Sequence, residues 1–130
     1  MFSEANKDLI RRFYREAINE RDSSACERLL NEDFVHNGEA RGQAGQRQAV
    51  DYFLSAFSDL RNEIDLILAE GDLVAAHQRW RGTHDGEFLG VEATGREVEF
   101  TSTAVLRVSD GLIAQAWDEM DAAGLLQQLA

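Results

Sequence analysis

The apolar positions of this chain keep two different rhythms. Up to about residue 61 they recur at helical spacing, and beyond it they alternate. In the first helix Leu9, Ile10, Phe13, Ala17 and Ile18 share a face, with Tyr14 on its flank and Arg11, Arg12, Arg15 and Asn19 opposite. Ser3 is the expected N-cap, with Glu4 in the first turn. Asp22 is placed to cap a short second helix containing Ala25, Leu29 and Leu30. NEDFVHNGEARGQAG has no period and reads as a loop with a short strand at Phe34–His36. A third helix gathers Ala49, Val50, Phe53, Ala56, Phe57 and Leu60 on one side.

In the second half, Ile64, Leu66 and Leu68 alternate with Asp65, Ile67 and Ala69, and Glu70-Gly71-Asp72 turns the chain. The next strand, Leu73–Thr83, puts Val74, Ala76, Gln78, Trp80 and Gly82 inward, with His84 following in the same register. Another long strand aligns Val98, Phe100, Ser102, Ala104, Leu106 and Val108. Asp110-Gly111 is a hairpin signal. Uninterrupted alternation in the last strand would place Ile113, Gln115, Trp117, Glu119 and Asp121 inward. A terminal helix follows over 122–130. Helices first and a meandering sheet second predict an α+β fold. Its expected form is a cone of N-terminal helices packed on a strongly curved, mainly antiparallel sheet, with residues 1–130 as one domain.

Composition narrows the functions. Thirteen basic residues against 24 acidic ones give a net charge of −11. The imbalance is concentrated beyond residue 61, where 4 basic residues face 13 acidic ones. Phosphate neutralisation dominates nucleic-acid binding, so nucleic acid is excluded as a partner, as are anionic membrane surfaces. The opening MFSEANKDLIRRF has no apolar signal segment, and no apolar run reaches membrane-spanning length, so a cytoplasmic location is expected. A small hydrophobic molecule is the expected partner.

Few residues point to chemistry. GEARGQAGQ lacks a preceding strand and a following Lys-Ser/Thr pair, so it is not a phosphate loop. His36, His77 and His84 share no ligand-like spacing, and the single cysteine, Cys26, builds no cluster; no metal is expected. Cys26 reads as a packed thiol. A lone strand histidine such as His84 is more often structural than catalytic, although imidazole is also a common acid, base or donor. Asp121 has two readings that residue chemistry leaves level: a carboxyl facing an apolar interior as acid/base, or the N-cap of the terminal helix. Tyr14, Phe53, Trp80, Phe88 and Trp117 are candidate lining residues. The small residues Gly82, Ser102 and Ala104 among them leave room for a pocket.

The stretch AFSDLRNEIDLILAEGDLVAAHQRWRGTHDGEFLGVEATGREVEF, followed by LRVSDGLIAQAWDEMDAAGLLQQL, resembles the SnoaL-like polyketide cyclase family, within the superfamily of the nuclear transport factor two fold. The resemblance runs from about Asp8 to Leu129. Its strongest elements are Glu70–Asp72, Arg81–Gly90, Thr94–Arg96 and the DGLIAQAWDEMD ending. Ala93 and Gln115 depart from the family pattern, where proline and an acidic residue are common. The resemblance implies cofactor-independent ring closure of a polyketide by intramolecular aldol condensation. It implies Asp121 as the acid/base, His84 in support and Trp117 lining the cavity. Tyr14 and His36 fall in regions that line the family's pocket. The same fold hosts isomerases, hydrolases, hydroxylation enzymes and non-catalytic binding modules. A homodimer, or a larger homo-oligomer, is expected through the convex sheet face carrying Thr101, Thr103 and Val105.

Overall fold

A computed structural model describes residues 2–130. Among the described residues, four α-helices, one π-helical turn and six strands make an α+β fold. Helix α1 spans Phe2–Tyr14, α2 Ala25–Leu29, α3 Gly42–Ala56 and α4 Ala122–Leu129. The strands are β1 Leu30–His36, β2 Glu39–Ala40, β3 Arg61–Glu70, β4 Leu73–Thr83, β5 Glu97–Ser109 and β6 Leu112–Met120. They form one sheet in the order β2-β1-β6-β5-β4-β3, left open because the edge strands β2 and β3 do not pair. Only the β1–β6 pair is parallel. α1 and α3 cover the concave face, and the predicted cone of helices on a curved, mainly antiparallel sheet is the architecture observed.

The first helix buries the face its period predicts: Ile10, Phe13, Tyr14, Ala17 and Ile18. Ser3 is not its N-cap, because the helix already includes Phe2. After Tyr14 the helix widens into a π-helical turn over Arg15–Asn19, closed by Glu20 N–H donating to Arg15 O at 2.8 Å. Asp22 does not cap α2 directly. Its carboxylate accepts from Ser24 N–H at 3.1 Å, and Ser24 holds the cap position.

The expected loop after α2 is more ordered than its lack of period suggests. Leu30–His36 is a full strand, and Asn37-Gly38, both at positive φ, turns it into β2. α3 then begins at Gly42, earlier than the apolar period announces.

In β4 and β5 the inward positions are those that alternation predicts. In β3 and β6 they are not. A bulge between Ile64 and Leu66 turns Ile67 and Ala69 inward and leaves Leu66 and Leu68 on the convex surface. A second irregularity, opposite Arg107/Val108, lets Ile113 and Ala116 both face the core although they lie an odd number of positions, three, apart. From there Ala116, Asp118 and Met120 point inward, while Trp117, Glu119 and Asp121 point away.

Candidate functional site

Between the concave sheet face, α1 and α3 lies a cavity of about 350 Å³. Phe13, Phe34, Phe53, Trp80, Phe100 and Leu106 supply much of its apolar wall. Aromatic packing sets its shape. Trp80 stacks on Phe100 with ring centroids 5.9 Å apart and on Phe53 at 6.4 Å, and meets Tyr14 edge-on at 6.0 Å. The row Ala76–Ala104–Asp118 crosses β4, β5 and β6, so the aspartate stands beside two alanines on the inward face of the sheet.

The polar groups on the wall are few. Asp118 comes from β6 and His36 from the end of β1, with His36 Nε2 at 4.0 Å from Asp118 Oδ2. Asn37 holds them in place. Its side-chain oxygen accepts from Asp118 N–H at 2.7 Å, and its Nδ2 donates to Asp118 O at 3.1 Å. This bracket acts on the Asp118 main chain and leaves the carboxylate free. Asp118 Oδ1 and His36 Nδ1 are buried without a partner in the protein. Tyr14 stands in the same cavity. Burial pushes its phenol well above the ordinary value; the charge of Asp118 pushes the same way, and the Gln78 amide opposes both. Tyr14 therefore remains an O–H donor across the physiological range.

Of the residues singled out from sequence, Tyr14, His36, Phe53 and Trp80 line this cavity. Asp121 does not. It is exposed at the end of β6, and its Oδ1 accepts from Gly124 N–H at 3.0 Å as the N-cap of α4. The bulge explains the correction, since an extra residue moves every later side chain to the other face. Trp117 is moved in the same way. It lies on the convex surface, 38% exposed, with the Arg107 guanidinium 5.8 Å from its ring centroid.

His84 is fully buried but stands apart from the cavity. Its Nδ1 accepts from Thr94 N–H at 3.1 Å, and its ring packs against Phe57. The backbone joins the same loop, with His84 N–H donating to Arg96 O and Gly95 N–H to His84 O, both at 2.8 Å. His84 thus ties the 84–96 loop to the core and does not reach the cavity. Phe88 is likewise a packing residue: it sits behind the wall against Tyr52, Phe53 and Phe57.

Asp118 and Asn37 were missed by strict alternation. One signal in the sequence points to Asn37, and none fixes the face of Asp118, because Leu112, Ile113, Ala114, Ala116 and Trp117 put apolar side chains on both registers of β6. Asn37-Gly38 is a two-residue hairpin turn.

The three histidines are dispersed, with His77 on the convex face bonded to Thr103. Among the described residues no group of three or more His, Cys, Asp or Glu side chains converges on a metal-sized site. Burial pushes the Cys26 thiol up to about 12, so it is a neutral packed group. No helix among the described residues is long and apolar enough to cross a membrane.

The family described as SnoaL-like polyketide cyclase matches residues 8–129. The chain is 30% identical to aklanonic acid methyl ester cyclase DauD of Streptomyces sp. (strain C5), over 94% of this chain and 80% of that one. It is also 30% identical to the cyclase of the same description, DnrD, of Streptomyces peucetius, covering 94% and 88%. Among solved structures, TsrD from Streptomyces laurentii superposes with a TM-score of 0.90 at 33% identity, over 98% of this chain and 96% of that one.

Proposed function

The chain belongs to the SnoaL-like polyketide cyclase family, and from that premise we propose that it closes a ring in a polyketide by intramolecular aldol condensation, with Asp118 as the acid/base. One observation carries the assignment: Asp118 presents a carboxylate to the cavity with Oδ1 free of any protein partner, beside His36 and Tyr14.

The chemistry follows from the residues. A carbon flanked by carbonyls is acidic enough for a carboxylate to deprotonate once water is excluded. The Asp118 carboxylate takes that proton, and the enolate charge spreads onto oxygen. The Tyr14 O–H, protonated because of its burial, and the His36 imidazole supply donors to that oxygen. The enolate carbon attacks a second carbonyl of the same folded molecule, so a carbon–carbon bond forms as the carbonyl π bond opens. Holding both centres in one apolar cavity supplies the proximity. The Asp118 carboxylic acid then returns its proton to the new alkoxide. The proton balance closes within the site without an oxidant, reductant or cofactor.

Aklanonic acid methyl ester, the compound named for DauD and DnrD, is the first substrate to assay. Asp118→Asn is the deciding variant. Asn37 grips only the main chain of residue 118, so the variant keeps its fold. Turnover falls by roughly 10²–10⁴-fold if Asp118 transfers the proton. Full turnover by a folded Asp118→Asn protein removes the assignment.

A further inference from the structure

The cavity wall carries one positive charge that ring closure does not use. Arg41 stands between β2 and α3, and among the described residues it is the one lysine or arginine lining the cavity. Its stem is seated against the first turn of α3, where Gly45 has no side chain: a Cβ there would lie 3.1 Å from Arg41 Cβ. The Arg41 side chain is only 27% exposed. Its Nη1 donates to Gln46 Oε1 at 2.8 Å, and Gln46 lines the cavity too. That bond fixes Gln46 Oε1 as the acceptor and turns its Nε2 the other way as a second donor.

Little in the protein answers this charge. Among the described residues the one acid within 4.0 Å of the guanidinium is Glu39, with Oε1 3.8 Å from Arg41 Nε. Glu39 is 77% exposed, so water screens the pair. Asn37, a further amide on the wall, has both its polar atoms committed to the Asp118 main chain. A guanidinium is always charged, and its parallel N–H groups match the two oxygens of a carboxylate. Beside an apolar wall, where water competes less, that match is stronger than in open solvent. Asp118 repels a second carboxylate from its own place in the cavity, so a ligand that carries one is oriented: the anion at Arg41, the neutral end at Asp118.

We infer that Arg41, oriented by Gln46, is a specificity-determining residue that selects ligands bearing a free carboxylate at the end remote from the carbon that Asp118 deprotonates. DauD and DnrD are named for a compound whose carboxyl is a methyl ester, so this preference distinguishes the chain from the substrate in those names. That the carboxylate belongs to a polyketide rests on the cyclase reading; its recognition by Arg41 does not.

The probes are 2-naphthoate and 2-naphthamide, planar molecules of nearly the same shape, one anionic and one neutral. Each is titrated at neutral pH against the full chain carrying bound Nile red, a neutral apolar dye, and displacement gives its affinity. The wild-type chain binds 2-naphthoate more tightly, on the order of five- to tenfold. Arg41→Met brings the two probes level or reverses their order, because Asp118 then opposes the anion alone. Arg41→Lys keeps the charge without the fork and retains part of the preference. Both variants bind 2-naphthamide about as tightly as wild type, which verifies their fold in the same titration. Equal binding of the two probes by the wild-type chain, or tighter binding of the amide, overturns the inference. So does a full preference retained by Arg41→Met. Loss of 2-naphthamide binding by both variants also overturns it, since Arg41 would then be a structural support, as does displacement by neither probe at millimolar concentration. This readout is binding, whereas the Asp118→Asn test reads turnover, so the two proposals fail on different measurements.

Discussion

Two aspartates three residues apart in the sequence AWDEMD meet opposite fates. Asp118 faces the cavity and Asp121 faces solvent, because three is an odd number in a strand of period two. Asp121 spends its carboxylate on the amide of Gly124. The fit is close: a Cβ at Gly124 would lie 2.2 Å from Asp121 Oδ2. Asn caps a helix about as well as Asp does, so Asp121→Asn leaves both stability and turnover near wild type. Asp121→Ala lowers stability by about 1 kcal/mol, read by urea denaturation, and also spares turnover. A large loss of turnover in Asp121→Asn would return the acid/base role to that position and overturn the division drawn between the two carboxyls.

At the scale of elements, the cavity wall depends on how the end of α3 meets the exit of β4. Asp85 N–H and Gly86 N–H both donate to Ala56 O, at 3.1 and 3.0 Å. Asp59 accepts from Thr83 N–H at 2.6 Å, and Asp85 accepts from the Ser58 hydroxyl and from Ser58 N–H, the latter at 3.0 Å. These contacts hold both carboxyls below their ordinary range. The backbones come so close that a Cβ on Gly86 would sit 2.1 Å from Ser55 O. Gly86→Ala must therefore push α3 away from the strand that carries Trp80. The expected cost is about 1–3 kcal/mol, seen as a lower thermal midpoint. Weaker dye binding accompanies it, because Phe53 and Tyr52 ride on the displaced helix. An unchanged midpoint would show that the junction yields without cost.

The whole molecule presents a second surface. On the convex face one register row runs Leu68, Ala75, Val105 and Trp117 across β3, β4, β5 and β6. Leu66 and Leu68 are 57% and 59% exposed, and Trp117 is 38% exposed. A continuous apolar stripe of this kind on a chain of net charge −11 is the surface on which the expected homo-oligomer would be built. Association through a two-fold axis would place the stripe against its copy. Sedimentation equilibrium at micromolar concentration is expected to give a dimer or larger oligomer for the wild-type chain and a monomer for Leu68→Glu. A wild-type monomer at that concentration would reject the interface. The two bulges that bend the sheet around the cavity also set this stripe, since they turn Leu66, Leu68 and Trp117 outward.

The sequence alone determined the helical and sheet halves, the inward faces of β4 and β5, the terminal helix and the family. Those features rest on local periodicity and turn chemistry, which neighbouring residues carry between them. Tyr14, Phe53 and Trp80 were legible as lining residues for the same reason, each on or beside a regular face, whereas His36, in a stretch without a period, was legible only through the family resemblance. Asp118 was not, because a β-bulge is a property of two strands. Whether an extra residue in β6 is accommodated depends on its hydrogen bonds to β5 and on the parallel pairing with β1. His84 shows the complementary limit. Its strand register was read correctly, but burial does not say whether a side chain meets a cavity or a loop. Only the return of the chain at Thr94, ten residues later, decided that this imidazole would be a structural fastener.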